Sequence, residues 1–307
     1  MKVLIVCSKN SGKIAPFITD QVNGLNKKGV ETAYFTIEQK GINGYINSNK
    51  GLLRKIREFR PDIIHAHYGL SGLLANLQRK VPIVTTYHGS DINNNKAFRF
   101  SNFSIFLSKY NIFVSQKNIN KAKVKHKYSL IPCGVDTSIF YPMGKDIRRE
   151  KINLEKDRKY ILFAGGFDNK VKNAQLAQYA VKRNENIELM QLKGYSREEV
   201  ALLMNTVDVC LMTSHTEGSP QFIKEAMACN CPIVSVNVGD VEEVIGKTEG
   251  CYVCETYNVD EVAEKLNLAL LFGKRTNGRE RIIELGLDAE SISKKLIDIY
   301  TKVKVTD

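Results

Sequence analysis

Several things are missing from this sequence, and each absence removes a class of protein. No run of about 18 to 20 apolar residues occurs, so no segment reads as a membrane-spanning helix. No Ser-, Gly- or Pro-rich tract of the kind that stays unfolded is present. Acidic excess is absent too: 45 Lys plus Arg face 33 Asp plus Glu, a formal net charge of +12, which excludes an acidic solvating chain. Seven cysteines are an odd number for 307 residues and do not make a small disulfide scaffold. Lys2-Val-Leu-Ile-Val-Cys7 is too short and wrongly flanked for a signal peptide, so reduced, mostly buried thiols and a cytoplasmic location are expected. Neither a zinc finger nor an RNP motif accompanies the positive charge, and no nucleic-acid partner is expected.

With 43% hydrophobic residues the chain can bury a core, and its length suits two domains of about 150 residues. Val/Ile/Leu-rich runs alternate with segments of helical period, the pattern of parallel strands buried on both faces and their crossover helices. The fold class is therefore α/β. Strands are predicted near Val3–Val6, Glu31–Phe35, Ile63–His65, Ile83–Thr86, Ile112–Val114 and Leu130–Ile131, then near Tyr160–Phe163, Ile187–Gln191, Val209–Met212, Ile233–Val236 and Cys251–Val253. The polar stretch after Tyr141, punctuated by Pro142 and Gly144, divides the two series. This predicts a first domain over 1–142, a linker over 143–158 and a second domain over 159–307. The last helix carries an apolar face of Ile292, Leu296, Ile299 and Val303 that is free to pack back on the first domain. Ser196-x-x-Glu199 and Asn258-x-x-Glu261 read as capping boxes.

Cys229-x-Cys231 and Cys251-x-x-Cys254 have spacings that could suggest zinc, but residues 251 and 254 on a strand point to opposite faces, so a shared metal is not expected. Basic stretches at Lys50–Arg60 and Lys117–Lys127 suit either a solvated face or an anionic membrane surface.

In open parallel sheets ligands bind beyond the carboxyl ends of the strands. Polar and glycine residues collect there in both halves, and two such edges facing each other would make a cleft. Ser219 is a natural N-cap and Pro220 a natural first helical residue, so a helix is predicted to start there with N–H groups aimed at an anion or sugar hydroxyls. Glu217 before that helix and Glu225 inside it are either two carboxylates along one ligand or ordinary solvated groups. His65 and His67 are expected on opposite faces of their strand, leaving at most one toward the cleft. Asp91 could orient an acceptor or cap a helix, and Gly12 could serve a ligand or only a turn.

The run EGSPQFIKEAMACNCPIVSVNVGDVEEVIG (Glu217–Gly246) resembles the signature of glycosyltransferase family 4, retaining enzymes of the GT-B fold. PDIIHAHYG (Pro61–Gly69), VPIVTTYHGSD (Val81–Asp91), IPCGVDTSIFYP (Ile131–Pro142) and FAGGFDNKVKN (Phe163–Asn173) extend the resemblance over most of the chain in the expected order. It implies two Rossmann-like domains around a central cleft, an acceptor held mainly by the first and a nucleotide-sugar by the second. By the same resemblance Glu225 holds the ribose, and Glu217 lies beside the donor sugar with the Ser219, Pro220, Gln221 and Phe222 backbone near its hydroxyls. Lys172 or Lys170 neutralises the diphosphate, His88 sits near the reacting sugar, Gly12 lies in the loop that approaches the diphosphate, and Gly166 and Gly194 join the donor-binding residues. Asp91 and His67 fall on the acceptor side.

The activity so implied is metal-independent transfer with retention, from a UDP-sugar as substrate and with no cofactor, to a cell-envelope or capsular polysaccharide intermediate, lipid-linked or not, at the inner membrane face. Asp-x-Asp, the diphosphate–metal device of the other large glycosyltransferase fold, does not occur. Many relatives carry Arg where this chain has Gly166, and many have an extra strand and helix before Gly194. These departures keep open the alternative of a catalytically weak nucleotide-sugar-binding module. They also leave Tyr195 as a candidate base contact.

Overall fold

The computed structural model describes residues 1–9, 12–144, 154–155, 158–183 and 186–305. Each apolar run named above forms a strand, with edges agreeing to within two residues; the first three strands run longer than expected, and the fifth and sixth start two residues earlier. The chain divides into two compact units, Met1–Gly134 with Ala289–Asp307, and Val135–Asp288.

In the first unit β1 (Lys2–Ser8), α1 (Pro16–Lys27), β2 (Glu31–Ile37), α2 (Gly41–Phe59), β3 (Ile63–His67), α3 (Gly69–Ala75) and β4 (Ile83–Tyr87) are followed by α4 (Ser90–Asn93), α5 (Asn95–Leu107), β5 (Tyr110–Phe113), α6 (Gln116–Ala122) and β6 (Tyr128–Leu130). The strands form one parallel sheet in the order β2-β1-β3-β4-β5-β6. Val3 to Val6 are fully buried, as a strand covered by helices on both faces must be. Because β2 and β3 lie on opposite sides of β1, the crevice of this sheet opens between the loops after β1 and β3.

The second unit holds β7 (Lys159–Phe163), a 3₁₀ turn (Lys170–Lys172), α7 (Ala174–Val181), β8 (Ile187–Gln191), α8 (Arg197–Thr206) and β9 (Val209–Met212). After these come α9 (Gln221–Ala228), β10 (Ile233–Val236), α10 (Val241–Ile245), β11 (Cys251–Cys254), α11 (Val259–Phe272) and α12 (Gly278–Glu284). Its parallel sheet runs β11-β10-β9-β7-β8, so the order reverses at β7 and the crevice lies between the loops after β7 and β9.

The division differs from the expected one at its boundary. The boundary falls at 134/135, not 142. Residues 137–143 are tied to the second unit, because Arg279 donates to the Phe140 and Thr137 carbonyls at 2.8 and 3.2 Å, and buried Asn205 bonds the Tyr141 carbonyl and the Met143 N–H at 2.9 Å each. Most of the expected linker, 145–153 with 156 and 157, lies outside the described residues. The last helix, α13 (Ala289–Val305), packs back on the first unit, as its apolar face allowed. Its Ile292, Leu296, Ile299, Tyr300 and Val303 share a core with Val3, Ile5, Ile18 and Val22. Gly24 of α1 allows this approach, since a Cβ there would collide with Ser293 Oγ.

Ser196 and Glu199 form the full reciprocal box expected of them. Asn258 caps α11 by accepting from Asp260 N at 2.7 Å, but Glu261 does not return to it. Its carboxylate instead accepts from Glu255 N and Thr256 N at 2.8 and 3.0 Å, bracing the incoming loop.

Candidate functional site

In the second unit the loops after β7 and β9 are laced together. Thr213 Oγ1 donates to the carbonyls of Lys172 and Asn173 at 3.0 and 2.9 Å, and His215 N donates to the Val171 carbonyl at 2.9 Å. Gly165, at φ +152°, lets the Lys172 stem cross it, because a Cβ there would come within 2.9 Å of Lys172 Cγ. So directed, Lys172 Nζ reaches Glu217 Oε1 at 2.6 Å, with the two side chains only 23% and 18% exposed. Of the two lysines left open by the sequence, Lys172 faces Glu217, whereas Lys170 is exposed and lines a separate cavity with Asn173, Tyr179 and His215.

The start of α9 differs from expectation. The helix begins at Gln221 with Pro220 in the capping position, and no side chain caps it. Ser219 does not act as the N-cap. Its hydroxyl donates to Asp240 and accepts from Lys224 Nζ, the latter at 2.7 Å. Lys224 is fully buried and Asp240 nearly so; burial pushes Asp240 upward, and the nearby Lys224 charge opposes the shift. This trio anchors the loop, leaving the first N–H groups of α9 without a side-chain cap, the condition for receiving an anion or hydroxyl. Sequence reasoning missed Lys224 and Asp240. The only signal was Gly239-Asp240 after β10, where Gly239 at φ +60° lets the backbone pass Gly218 so closely that a Cβ would lie 2.5 Å from its carbonyl oxygen. The Phe222 side chain enters the core, so only its backbone can serve a ligand.

One turn and more into α9, Glu225 is 13% exposed and lies 3.7 Å from the Arg197 guanidinium, which in turn sits 5.0 Å over the Phe140 ring. Gly194 takes φ +87° in the turn before α8, and Tyr195 beside it is exposed. A side chain at Gly166 would displace the Asp168–Lys193 pair. A Cβ would lie 2.6 Å from Asp168 Oδ1 and 3.0 Å from Cδ of Lys193, whose ammonium pairs with Asp168 at 2.8 Å.

In the first unit the expected split of His65 and His67 is wrong. Strand side chains two apart share a face, and both rings are fully buried and stacked at 4.5 Å. His67 is therefore not an acceptor contact but an interior group. Burial holds both imidazoles neutral, His65 well below its usual value and His67 down to about 3. His67 Nδ1 lies 3.0 Å from His88 Nε2, and His88, half-buried, is flanked by Phe17 and Tyr68 at 4.7 and 4.6 Å.

Asp91 does not project freely either. One carboxylate oxygen accepts from Gly69 N at 3.0 Å and the other from His88 N and Gly89 N at 3.0 and 3.1 Å, which fixes the His88 loop against the start of α3. Burial pushes Asp91 up to about 6 in spite of those N–H bonds. Asp91 nonetheless lines a cavity of about 530 Å³ beyond β1 and β3, with Ser8, Lys13, Tyr45, Tyr68 and Ser90. Gly12 closes a turn, its N–H donating to the Lys9 carbonyl at 2.9 Å with φ +92°.

All seven cysteines are free thiols, and among the described residues no group of three or more His, Cys, Asp or Glu is arranged to hold a metal. No described helix is long and apolar enough to cross a membrane.

Two family models divide the chain between them: Glycosyltransferase Family 4 matches residues 2–139 and Glycosyl transferases group 1 matches residues 151–286. A Bacillus subtilis protein described as a teichuronic acid biosynthesis glycosyltransferase, TuaC, is 24% identical over 63% of the chain. The chain spans 57% of that relative's length. N-acetyl-alpha-D-glucosaminyl L-malate synthase of Bacillus anthracis is 24% identical over 81% of this chain and 77% of its own. Among solved structures, sucrose-phosphate synthase of Thermosynechococcus elongatus superposes with a TM-score of 0.87 at 17% identity, covering 100% of both chains. HepE of Anabaena in complex with UDP-glucose gives 0.78 at 14%, over 98% of this chain and 100% of that one. The strand orders, the crevice loops and the two matching models lead to one assignment: the chain has the GT-B fold and belongs to the glycosyltransferases of group 1 and Family 4.

Proposed function

We propose that the chain transfers a sugar from a nucleotide-sugar, a UDP-sugar foremost, to a saccharide acceptor of envelope or capsular polysaccharide synthesis, with retention and without a metal. The observation that carries this reading is the placement of Lys172 and Glu217 at the crevice of the second sheet, on the loops on either side of the point where strand order reverses. Glycosyl transfer builds positive charge on the anomeric carbon and negative charge on the departing diphosphate. Lys172 and the uncapped N–H groups of α9 answer the second charge, while Glu217 answers the first and orients sugar hydroxyls. Glu225 accepts from the ribose hydroxyls. Glu217 is not assigned as a covalent nucleophile. Front-face attack, with the leaving phosphate oxygen taking the acceptor proton, needs none. HepE was crystallised with UDP-glucose and the Bacillus relatives are named for sugar transfer, which supports a UDP-sugar and a saccharide or small hydroxylated acceptor.

The cavity beside Asp91 is the acceptor site in this reading, and its rims suggest where the acceptor comes from. Tyr45 of α2 and Ser101 of α5 line it, while the outer faces of those helices expose Ile42, Ile46, Phe103 and Phe106, with Lys50, Arg54 and Arg57 exposed on α2. Apolar side chains among cations suit the headgroup region of an anionic bilayer, and thus a lipid-linked acceptor at the membrane face. Product formation from UDP-sugars, with donor hydrolysis measured alongside, tests the reading. Donor binding without any transferred or hydrolysed sugar would favour a binding module that has lost turnover.

A further inference from the structure

The hydrogen bonds of the buried histidines have a direction, and it is set by a phenol on the last helix. Tyr300 is fully buried, burial keeps its hydroxyl protonated, and among the described residues that hydroxyl has one partner, His65 Nδ1 at 2.6 Å. A buried phenolic proton needs an acceptor. Nδ1 of His65 therefore carries a lone pair, and its ring proton is on Nε2, donated to Thr86 Oγ1 at 2.7 Å. The Gln21 amide nitrogen stands 3.3 Å from that same Nδ1 and 3.5 Å from His67 Nε2. That lone pair is taken by Tyr300 and would repel an amide oxygen, so Gln21 turns its nitrogen end to both rings, and His67 Nε2 accepts from it. Neutral His67 then bears its proton on Nδ1 and donates it to His88 Nε2 at 3.0 Å. What is left to His88 is an N–H at Nδ1, directed near Cys133 Sγ at 3.5 Å, a weak thiol acceptor that a sugar hydroxyl readily displaces.

We propose that Tyr300, Gln21 and His67 are positioning residues that hold His88 in the Nδ1–H tautomer, so that it meets the donor sugar as a hydrogen-bond donor. Held this way, His88 has no free ring nitrogen with which to take the acceptor's proton. That proton goes to the leaving phosphate oxygen as the C–O bond to the sugar breaks and the new one forms. The inference rests on the reading of His88 as the histidine beside the reacting sugar, but the tautomer itself is independent of it.

The test is long-range proton–nitrogen correlation NMR on the full chain with ¹⁵N-labelled histidine, His88 being assigned by its loss in His88→Gln. The expected spectrum of the unsubstituted protein shows protonated Nδ1 and bare Nε2 at His88. In Gln21→Glu, whose carboxylate accepts where the amide donates, the His88 pattern is expected to reverse. In Tyr300→Phe a mixture of tautomers should appear, with kcat lowered several-fold and donor KM unchanged. A His88 that carries its proton on Nε2 in the unsubstituted protein overturns the proposal, whether or not the variants fold. So does a pattern indifferent to both substitutions. If the tautomer is as expected while His88→Gln turns over normally, the positioning network stands and the role of His88 in transfer falls.

Discussion

Lys172 and Glu217, 45 positions apart, form an ion pair of 2.6 Å in which each side chain is about four-fifths buried. The pair sets a cation against a carboxylate in the crevice between β7 and β9. Under the proposed function the donor enters by exchange: its diphosphate takes Lys172 and its sugar takes Glu217. A site that keeps its cation and carboxylate on each other until both ends of the ligand arrive discriminates against free phosphate and free sugar.

Removal of either partner should be costly for transfer. Lys172→Ala and Glu217→Ala are each expected to reduce turnover by at least ~100-fold, the usual loss when one major electrostatic contact to a developing charge disappears. Initial-rate assays at saturating donor check this, and near-normal rates in either variant contradict the roles given to the pair.

Under the proposed function Glu225 acts on binding. Glu225→Ala should raise the donor KM with little change in kcat, because ribose contacts are the same in ground and transition states. Titration calorimetry with UDP reads the same effect without turnover. Unchanged affinity would exclude the ribose contact and leave Glu225 as the counter-ion of Arg197 alone.

Gly165 tests the path of the lysine. Gly165→Ala places a methyl group against Lys172 Cγ in a backbone conformation that L side chains avoid. Donor affinity is expected to fall about tenfold or more while the second unit remains folded, since the loop is at the sheet's edge. Wild-type affinity would mean that Lys172 does not need this course over the loop.

Asp91 gives a pH signature. Its folded-state carboxyl is raised to about 6 by burial against an ordinary value of 3.8. A carboxyl raised on folding holds its proton more tightly in the native state, so its contribution to stability grows as pH falls from about 6 towards 4 and is absent above that range. The melting temperature of the protein relative to Asp91→Asn, which does not titrate, should therefore widen in favour of Asp91 on acidification. A difference that stays flat or shrinks would show that the backbone N–H bonds outweigh burial.

The strands, both capped helix starts and the placement of Glu217 ahead of Glu225 were legible because each depends on local pattern. His65 and His67 were readable as well: a period of two puts them on one face, and the expectation of opposite faces misapplied that rule. Ser219 was not readable, because its hydroxyl is claimed by Asp240, 21 positions on, and by a lysine one turn into its own helix. The domain boundary was hidden for the same reason. Arg279 and Asn205 hold residues 137–143 from a distance, and α13 returns to the first unit through an apolar face that does not name its partner.

The membrane part of the reading is separable. At low salt the protein should sediment with vesicles containing phosphatidylglycerol and not with neutral ones, and Ile46→Glu with Lys50→Glu should abolish this. Equal recovery with both vesicle types would leave a soluble acceptor as the better reading.

The most direct measurement is a crystal structure with a UDP-sugar bound, or with UDP if the sugar is hydrolysed. Lys172 Nζ is expected to leave Glu217 for a diphosphate oxygen, with the first N–H groups of α9 within hydrogen-bonding distance of the ligand. A ligand bound elsewhere, with the Lys172–Glu217 pair intact, would contradict it.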